Sequence, residues 1–415
     1  MVYDAVIVGG GLAGSLSATL LTRKGYRTAL VDKHERHPAE FRAELIFGEQ
    51  VRALERLGLL DGLVRGARFV NHAIVGRRGR HLESARAPHY FLSYERMVGN
   101  ARASIPPNCD TIIDEVVNIE SDFAKQRVQL AGGSNIETRL VVIATGLSNS
   151  LKHTLRFSCD SIRDRHSLAI GFCIAGSKLS GRMLVYYGEK ASDRVDYISV
   201  FPWGDRLRAN LFLFRDARDS WVQEFRSRPL DSLSRVMPRV TNFLGPFEIE
   251  EGIQVRTNHL RRAANHFRDG IVLVGDAFQT SCPAAGNGVS RLLTDVDRLC
   301  NVHFPRWASE NSFSRSSVMG FYGDPIKVAS DDKAIRAAEY RRNVSTETGL
   351  SWALHREAAA FYRGLRSFRP SLRRQGGGRN HPCGSAAVAA PMASEAGQNG
   401  YQGGVGAVTE GRATP

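Results

Sequence analysis

Residues 3–14 read Tyr-Asp-Ala-Val-Ile-Val-Gly-Gly-Gly-Leu-Ala-Gly, and the fold prediction starts from this stretch. The apolar residues before the glycines predict a short buried strand, and the regularly spaced leucines after them predict a helix that stops at Gly25. Thr28–Asp32 predicts a second strand. A strand, a helix and a strand within about 30 residues are the opening of a doubly wound α/β domain.

The glycines form a Gly-x-Gly-x-x-Gly pattern at the turn between this strand and this helix. Gly9 permits the tight turn, Gly11 lets the backbone approach a pyrophosphate, and Gly14 lets the helix pack closely on the sheet. The phosphates then lie at the helix N-terminus, where unpaired N–H groups favour negative charge. Asp32 ends the second strand, where its carboxylate can accept hydrogen bonds from ribose hydroxyls. The pattern therefore predicts dinucleotide binding; the alternative is a glycine-rich turn without a ligand.

A second glycine-rich signal lies far along the chain. Gly275-Asp276 ends a predicted strand at 270–274, and Pro283-Ala-Ala-Gly-Asn-Gly288 precedes a predicted helix. An aspartate at a strand's carboxyl end can reach a sugar-alcohol hydroxyl, and a glycine-rich helix start stabilises negative charge, such as that of a reduced flavin ring. The alternative for Asp276 is a cap of a helix or a turn.

The region between the two signals changes character. Its apolar segments are short and are separated by Gly, Asp and Arg clusters, which predicts successive strands of an antiparallel sheet. These segments are 168–175, 183–187, 197–203 and 207–214. Alternation along a strand lets only about half of the region's aromatic residues face one pocket. The aromatic candidates are Tyr186, Tyr187, Tyr197, Phe201 and Trp203.

Composition excludes several classes of protein. Apolar residues make up 42% of the chain and charged residues 24%, which excludes a collagen-like, fibrous or wholly disordered protein. Lysine and arginine exceed the acids by 56 − 42 = 14, so we expect an anionic cofactor, an acidic substrate, a membrane surface or nucleic acid as partner. No recognition module accompanies the charge, and nucleic-acid binding is not expected.

The cysteines and the apolar runs predict a cytoplasmic protein without a metal site. The six cysteines are scattered, with no Cys-x-x-Cys pair and no histidine at ligand spacing, which favours a reducing compartment. Asp4 and three consecutive glycines argue against a signal peptide near the N-terminus. No run reaches the roughly 18 apolar residues of a membrane span.

Four features occur in an order that is typical of one family. They are the two glycine-rich signals, Arg42 and the segment Leu140-Val-Val-Ile-Ala-Thr-Gly146. Over residues 1–370 the chain resembles the FAD-dependent monooxygenases and oxidoreductases of the p-hydroxybenzoate hydroxylase type. This group shares its fold with geranylgeranyl reductases and flavin halogenases. The resemblance implies FAD as cofactor.

The resemblance also implies the architecture. We expect a Rossmann-like FAD-binding domain of the glutathione reductase type at 1–165 and 265–330, with an inserted antiparallel β-sheet substrate domain at 166–264. The alternative for part of residues 70–100 is that it joins the substrate domain instead of the FAD-binding domain. A C-terminal helical segment is expected at 331–372. The glycine-rich tail 373–415 contains no Leu, Ile, Phe or Trp, and we predict that it is disordered.

Carried over residue by residue, the resemblance implies one cofactor site. Arg42 would contact the pyrophosphate region, Asp276 the ribitol, and 283–288 the isoalloxazine ring. Arg96 resembles a further cofactor-side arginine, and a solvated helix residue is its alternative. The residues implied to bind the cofactor are Gly9, Gly11, Leu12, Ala13, Gly14, Asp32, Lys33, Arg42, Arg96, Gly146, Gly275, Asp276, Pro283, Gly286, Asn287 and Gly288.

No catalytic acid or base can be assigned from the sequence, and a surface position or a satisfied structural role is expected for His166 and His259. Thr145 stands where hydroxylases of this type carry an aspartate associated with combined flavin and nicotinamide use. The electron donor is therefore open between NADH, NADPH and a separate donor protein. Flavin halogenases of this fold depend on a lysine beyond the second strand, within the first hundred residues or so, and on a Trp-x-Trp motif. This chain has no lysine between Lys33 and Lys125, and Trp203 stands outside such a motif, so halogenation is disfavoured.

Three functions follow from this sequence. The first is an FAD-dependent monooxygenase of an aromatic or apolar small molecule. The second is an FAD-dependent reductase or dehydrogenase of a prenyl or lipid-like substrate, and the third is a non-catalytic flavin-binding protein. An arginine-rich run near the C-terminus is either a solvated helix face or a weak contact with a membrane surface or acidic carrier. Its members are Arg356, Arg363, Arg366, Arg369, Arg373 and Arg374.

Overall fold

The computed structural model describes residues 2–122, 125–179 and 181–367. Its strands, in chain order, are β1 (Tyr3–Val8), β2 (Thr28–Asp32), β3 (Leu45–Phe47), β4 (Arg68–Arg77), β5 (Arg80–Phe91), β6 (Asp110–Ile113), β7 (Val116–Ser121), β8 (Gln126–Leu130), β9 (Asn135–Ile143), β10 (Ser158–Ala175), β11 (Met183–Tyr187), β12 (Val195–Trp203), β13 (Arg206–Leu213), β14 (Glu248–Ile249), β15 (Gln254–Ala264) and β16 (Ile271–Leu273).

The helices are α1 (Leu12–Arg23), α2 (Glu49–Arg56), α3 (Leu60–Leu63), α4 (Tyr94–Ala103), α5 (Ser150–Thr154), α6 (Ser220–Ser227), α7 (Pro229–Val236), α8 (Thr241–Leu244), α9 (Gly288–Arg298), α10 (Phe304–Ser309), α11 (Arg315–Tyr322), α12 (Pro325–Thr346) and α13 (Leu350–Ser367). The tail predicted to be disordered, 373–415, lies outside the described residues.

The first sheet is the predicted doubly wound sheet. Strands β6, β2, β1, β9 and β16 run parallel in that order, and β7 and β8 join β9 as an antiparallel meander. The central strands are buried on both faces, as parallel strands between helices must be. The carboxyl ends of β1, β2 and β16 therefore meet at one edge, which is where an α/β sheet of this kind binds ligands.

The second sheet is formed mainly by the region between the two glycine-rich signals. Its strand order is β14-β10-β13-β12-β11-β4-β5-β3, with β15 paired to β10. All neighbours are antiparallel except β11 and β4. Because β4 and β5 belong to this sheet, residues 68–91 lie with the later strands, and β4 pairs with β11 although Ala73 and its partner Met183 are 110 positions apart.

The two faces of the second sheet have different surroundings. Alternate residues such as Tyr186, Ile198 and Leu211 pack with Trp221 and Phe225 of α6 in an apolar core. The residues between them point to the opposite face, toward the first sheet. The second sheet thus forms a wall with one side buried under helices and the other side free to line a cavity.

The structure confirms the predicted fold class and corrects local details. Helical periodicity predicts helix over 43–66, but Leu45–Phe47 is strand β3, because it pairs with residues 89–91 of β5. Helices α6 to α8 interrupt the region predicted from strand signals alone. The C-terminal helical segment expected at 331–372 consists, as far as residue 367, of the end of α12 and of α13, which are separated where Glu347 is extended after Thr346.

Candidate active site

The glycine turn between β1 and α1 is closed by backbone contacts on two sides. Gly9 has φ +102°, and a Cβ there would lie 2.8 Å from the Ala144 carbonyl oxygen. A Cβ at Gly14 would collide with the Gly9 carbonyl oxygen. A Cβ at Gly11 would have no heavy atom within 4 Å. The turn thus leaves open space at the N-terminus of α1, which fits a bound pyrophosphate.

Asp32 is fixed beside this turn. Its Oδ2 accepts a hydrogen bond from the Gly10 N–H at 2.5 Å, and its Oδ1 accepts one from the His34 N–H at 2.7 Å. Arg102 of α4 lies over the same carboxylate, with Nη2 3.2 Å from Oδ2, and its Nε donates to the Gly10 carbonyl oxygen at 2.7 Å. The acid predicted to bind ribose is therefore oriented by an arginine that sequence analysis missed.

Two residues predicted to bind the cofactor, Arg96 and Lys33, have exposed side chains with other partners. Arg96 is exposed on α4 and its guanidinium lies beside Gly66. Six positions along a helix correspond to a rotation of about 240°, so Arg96 and Arg102 point in different directions. Lys33 is exposed and lies 3.9 Å from Glu115.

Arg42 and Asp276 are brought together across the edge of the first sheet. The Arg42 Nη1 lies 3.3 Å from the Asp276 Oδ2, and the Arg42 guanidinium lies over the Tyr94 ring. Burial alone would lower the pKa of Arg42, but Asp276, Tyr94 and Glu40 raise it. Gly146 lies beside the same guanidinium. A permanently charged arginine at this point can bind phosphate oxygens.

The 283–288 segment forms the floor beside this pair. Pro283–Ala285 is a 3-10 turn that ends at Gly286, whose φ is +66°. Gln50 Nε2 donates to the Gly286 carbonyl oxygen at 3.0 Å, which ties α2 to the segment. Both polar atoms of the Asn287 amide are buried without a hydrogen-bond partner among the described residues. Such orphaned groups beside a cavity fit a bound molecule rich in polar atoms.

A cavity of about 650 Å³ joins these parts to the second sheet. Its walls include Tyr187, Tyr197 and Phe201, whereas Tyr186 packs against Phe243 on the other face. Trp203 packs against Phe201 rather than lining the cavity. The cofactor candidates that line the cavity are Leu12, Arg42, Asp276, Pro283, Gly286, Asn287 and Gly288. Of the remaining candidates, Ala13 and Gly14 lie in the first turn of α1, and the others lie at the adjoining strand ends and turns, namely Gly9, Gly11, Asp32, Gly146 and Gly275.

The two histidines occupy different places. His166 is fully buried against Phe214, and burial lowers its pKa to about 4. His259 lines the cavity and lies 3.1 Å from Asp164 through Nδ1. Neither histidine stands among the residues of the 283–288 floor.

Lys152 and Glu44 are cavity residues that sequence analysis missed. Lys152 of α5 is 8% exposed, its Nζ has no hydrogen-bond or ion-pair partner among the described residues, and burial lowers its pKa. Glu44 is buried and paired with Arg208. Neither lies in a recognisable motif, so only the three-dimensional arrangement shows their position.

A buried ionic cluster contacts the Gly275-Asp276 turn. It consists of Arg291, Asp295, Lys327 and Asp331. Arg291 Nη2 lies 3.6 Å from the Asp276 Oδ1, and Asp295 accepts a hydrogen bond from the Gly275 N–H at 2.9 Å. Helices α9 and α12 therefore hold the Gly275-Asp276 turn in place through charged side chains.

The described residues contain neither a candidate metal site nor a candidate membrane-spanning helix. No group of three or more His, Cys, Asp or Glu residues there has the geometry of a metal site. None of the helices described has both the length and the apolarity that a membrane crossing requires.

Comparison with known proteins gives the family. A family model described as an FAD binding domain matches residues 2–301. The chain is 21% identical over 300 residues to a digeranylgeranylglycerophospholipid reductase of Methanococcus vannielii, covering 69% of this chain and 73% of that protein. It is 22% identical over 333 residues to an FAD-dependent monooxygenase of Aspergillus terreus, covering 71% and 75% of the two chains.

A solved structure shows the same fold. The p-nitrophenol 4-monooxygenase PnpA of Pseudomonas putida DLL-E4 superposes with a TM-score of 0.71 at 18% identity, covering 88% of this chain and 95% of that chain. The chain belongs to the FAD-binding domain family, and FAD is its cofactor. Fold, site and family together define an FAD-dependent oxidoreductase.

Proposed function

We propose that the protein is a monooxygenase that hydroxylates an aromatic or other apolar small molecule. The observation that carries the proposal is the cavity itself, in which the 283–288 floor faces an apolar and aromatic sheet wall. Bound FAD supplies the redox chemistry, while the protein positions the substrate and keeps water out. Met183, Val185 and Phe201 supply the apolar surface for this role.

Residues of this chain have separate tasks in the proposal. Arg42 and Lys152 supply positive charge for phosphate groups, and Asp276 accepts hydrogen bonds from the ribitol chain. Tyr187 and Tyr197 place flat rings against an aromatic substrate. The buried ionic cluster keeps Asp276 in position during turnover.

The electron donor belongs to the proposal as well. The Lys152 side chain is buried in the cavity wall without a partner, which favours binding of an anionic ligand such as a phosphate-bearing electron donor. NADH and NADPH both satisfy this chemistry. A separate donor protein is the alternative, which Thr145 favours.

Oxygen consumption tests the proposal. The holoprotein is mixed with NADH or NADPH and a panel of phenols, anilines and apolar ring compounds, and oxygen uptake is recorded. A monooxygenase consumes oxygen together with the donor and places one oxygen atom of labelled O2 in the product. Oxidation of NADH or NADPH without oxygen, with the substrate as the electron acceptor, would contradict the proposal.

A reductase of a prenyl or lipid-like chain is the second candidate. It is favoured by Thr145 and by the likeness to the archaeal reductase. Anaerobic incubation of the chemically reduced holoprotein with a short polyprenol tests it. Saturation of a double bond with reoxidation of the flavin would favour the reductase, and bound flavin without turnover in either assay would favour a non-catalytic flavin-binding protein.

A further inference from the structure

Three buried polar residues form a cluster in the wall of the cavity. Glu44, Arg208 and Asn210 are each less than a tenth exposed. Arg208 Nε donates to the Glu44 Oε2 at 3.1 Å, and Asn210 Nδ2 donates to the same oxygen at 2.9 Å. We call these three residues the acceptor cluster. Glu44 and Asn210 both line the cavity.

Three donor atoms of the acceptor cluster already have acceptors inside the protein. Arg208 also donates through Nη2 to the Gln254 Oε1 at 2.5 Å, and the Asn210 amide nitrogen donates to Glu44. In the two members that line the cavity, Glu44 and Asn210, the atoms without a partner are acceptors. No described residue donates to the Glu44 Oε1, and the Asn210 Oδ1 is buried without a partner. The buried Asn210 Oδ1 is costly to leave unsatisfied, so the arrangement of this oxygen beside the Glu44 carboxylate fits a ligand that brings a donor.

Glu44 lies next to the strand that contacts the 283–288 floor. Glu44 directly precedes β3, and Phe47 of β3 lies against Gly286 of the floor, 3.4 Å from the position of a Cβ there. Asn210 lies on β13, on the face of the second sheet that lines the cavity. The acceptor cluster therefore stands between the proposed flavin floor and the proposed substrate wall.

We propose that Glu44 is a specificity-determining residue that accepts a hydrogen bond from an O–H or N–H group of the substrate. The proposal deepens the proposed function and rests on it, because it requires the substrate to occupy this cavity. The substrate is then an uncharged apolar molecule with a donor, such as a phenol, an aniline or an alcohol. A substrate carboxylate is disfavoured, because two negative groups would meet without a proton between them.

A matched ligand set tests the proposal on the natural holoprotein. Phenol, anisole and benzoate share one ring and differ in the donor and the charge. Binding is measured by calorimetry and by perturbation of the flavin absorption. We expect phenol to bind roughly ten to a hundred times more tightly than anisole, the range for a hydrogen bond to a charged group. We expect benzoate to bind more weakly than phenol. Equal affinities for phenol and anisole, or tighter binding of benzoate, would overturn the proposal.

Substitution of Glu44 provides the second test. In Glu44→Gln the amide oxygen takes the donors of Arg208 and Asn210, which turns its NH2 group toward the cavity. The preference for phenol over anisole should then disappear, whereas Glu137→Gln, at a half-buried site on β9 that does not line the cavity, should keep it. An unchanged preference in Glu44→Gln overturns the proposal. Because loss of the carboxylate leaves Arg208 buried without its ion pair, Glu44→Gln combined with Arg208→Gln is the variant to use if the single one does not fold.

The two proposals fail in different ways. A protein that holds no FAD overturns the proposed function together with this inference. A protein that holds FAD and hydroxylates ring compounds, but does not distinguish phenol from anisole, overturns only the role of Glu44.

Discussion

Arg42 and Asp276 lie 3.3 Å apart, Nη1 to Oδ2, although 234 positions separate them in the chain. One residue follows the second strand of the first sheet and the other follows its last strand. Their contact closes the edge of the sheet where the glycine turn also lies. Arg291, on the far side of Asp276, completes a row of alternating charges.

Arg42→Ala should weaken FAD binding. Because a charge-assisted hydrogen bond to a phosphate contributes about 1.5–3 kcal/mol, the dissociation constant should rise roughly tenfold to a hundredfold. Quenching of flavin fluorescence on titration of the apoprotein measures it. Arg96→Ala is the matched control, since Arg96 is exposed beside Gly66 and should leave FAD affinity unchanged. Equal losses in both variants would contradict the placement of the site.

Alanine at two glycines of one motif should have different effects. Gly14→Ala places a methyl group against the Gly9 carbonyl oxygen and should lower the free energy of unfolding. Gly11→Ala meets no atom of the protein and keeps an allowed backbone conformation, so the apoprotein should remain as stable as the natural one. It should still lose FAD affinity, because the methyl group occupies the space for the pyrophosphate. Urea unfolding and FAD titration of the same samples measure the two effects, and full FAD affinity in Gly11→Ala would contradict the site.

Lys327→Met should destabilise the protein strongly. Lys327 is fully buried, with Nζ 2.7 Å from Asp295 and 3.0 Å from Asp331, so its removal leaves two buried carboxylates with Arg291 alone. Breaking a buried ion pair costs about 3–5 kcal/mol. Lys333→Met, on the same helix, removes only an exposed pair with Glu49 and should cost less than about 1 kcal/mol. Similar urea midpoints for both variants would contradict the role of the buried ionic cluster.

His166 should make the stability depend on pH. Burial lowers its pKa to about 4 in the folded protein, whereas the unfolded chain has a histidine pKa of about 6.5. Between these values the unfolded state binds more protons, so stability is full above about pH 6.5 and falls as the pH drops toward 4. The loss attributable to His166 is up to about 3 kcal/mol. His166→Leu should flatten this part of the pH profile of unfolding; an unchanged slope would contradict the assignment.

The sequence predicts what depends on neighbours along the chain. The β1–α1–β2 unit, the strand before Gly275 and the helix at 288–298 all follow from local apolar spacing and turn residues. The motif glycines and Asp276 are found for the same reason, because each pattern carries its own structural context.

Residues that act through distant contacts escape such a prediction. Glu44 and Asn210 are 166 positions apart and meet only because β3, β5, β4 and β11 to β13 share one sheet. Strand β3 is mispredicted as helix for the same reason, since its partner in β5 is remote in sequence. Lys152 and Arg102 carry no motif either, and packing alone brings them to the site.

The visible absorption spectrum of the purified protein, recorded before and after addition of FAD and then of NADH or NADPH without oxygen, tests the central claim most directly. We predict flavin bands that stay with the protein through gel filtration and shift from those of free FAD. Bleaching by a nicotinamide would identify the donor, and persistence would point to a separate donor or to reduction that requires substrate. A protein that shows no flavin bands, even after FAD is added, would contradict the assignment of the site.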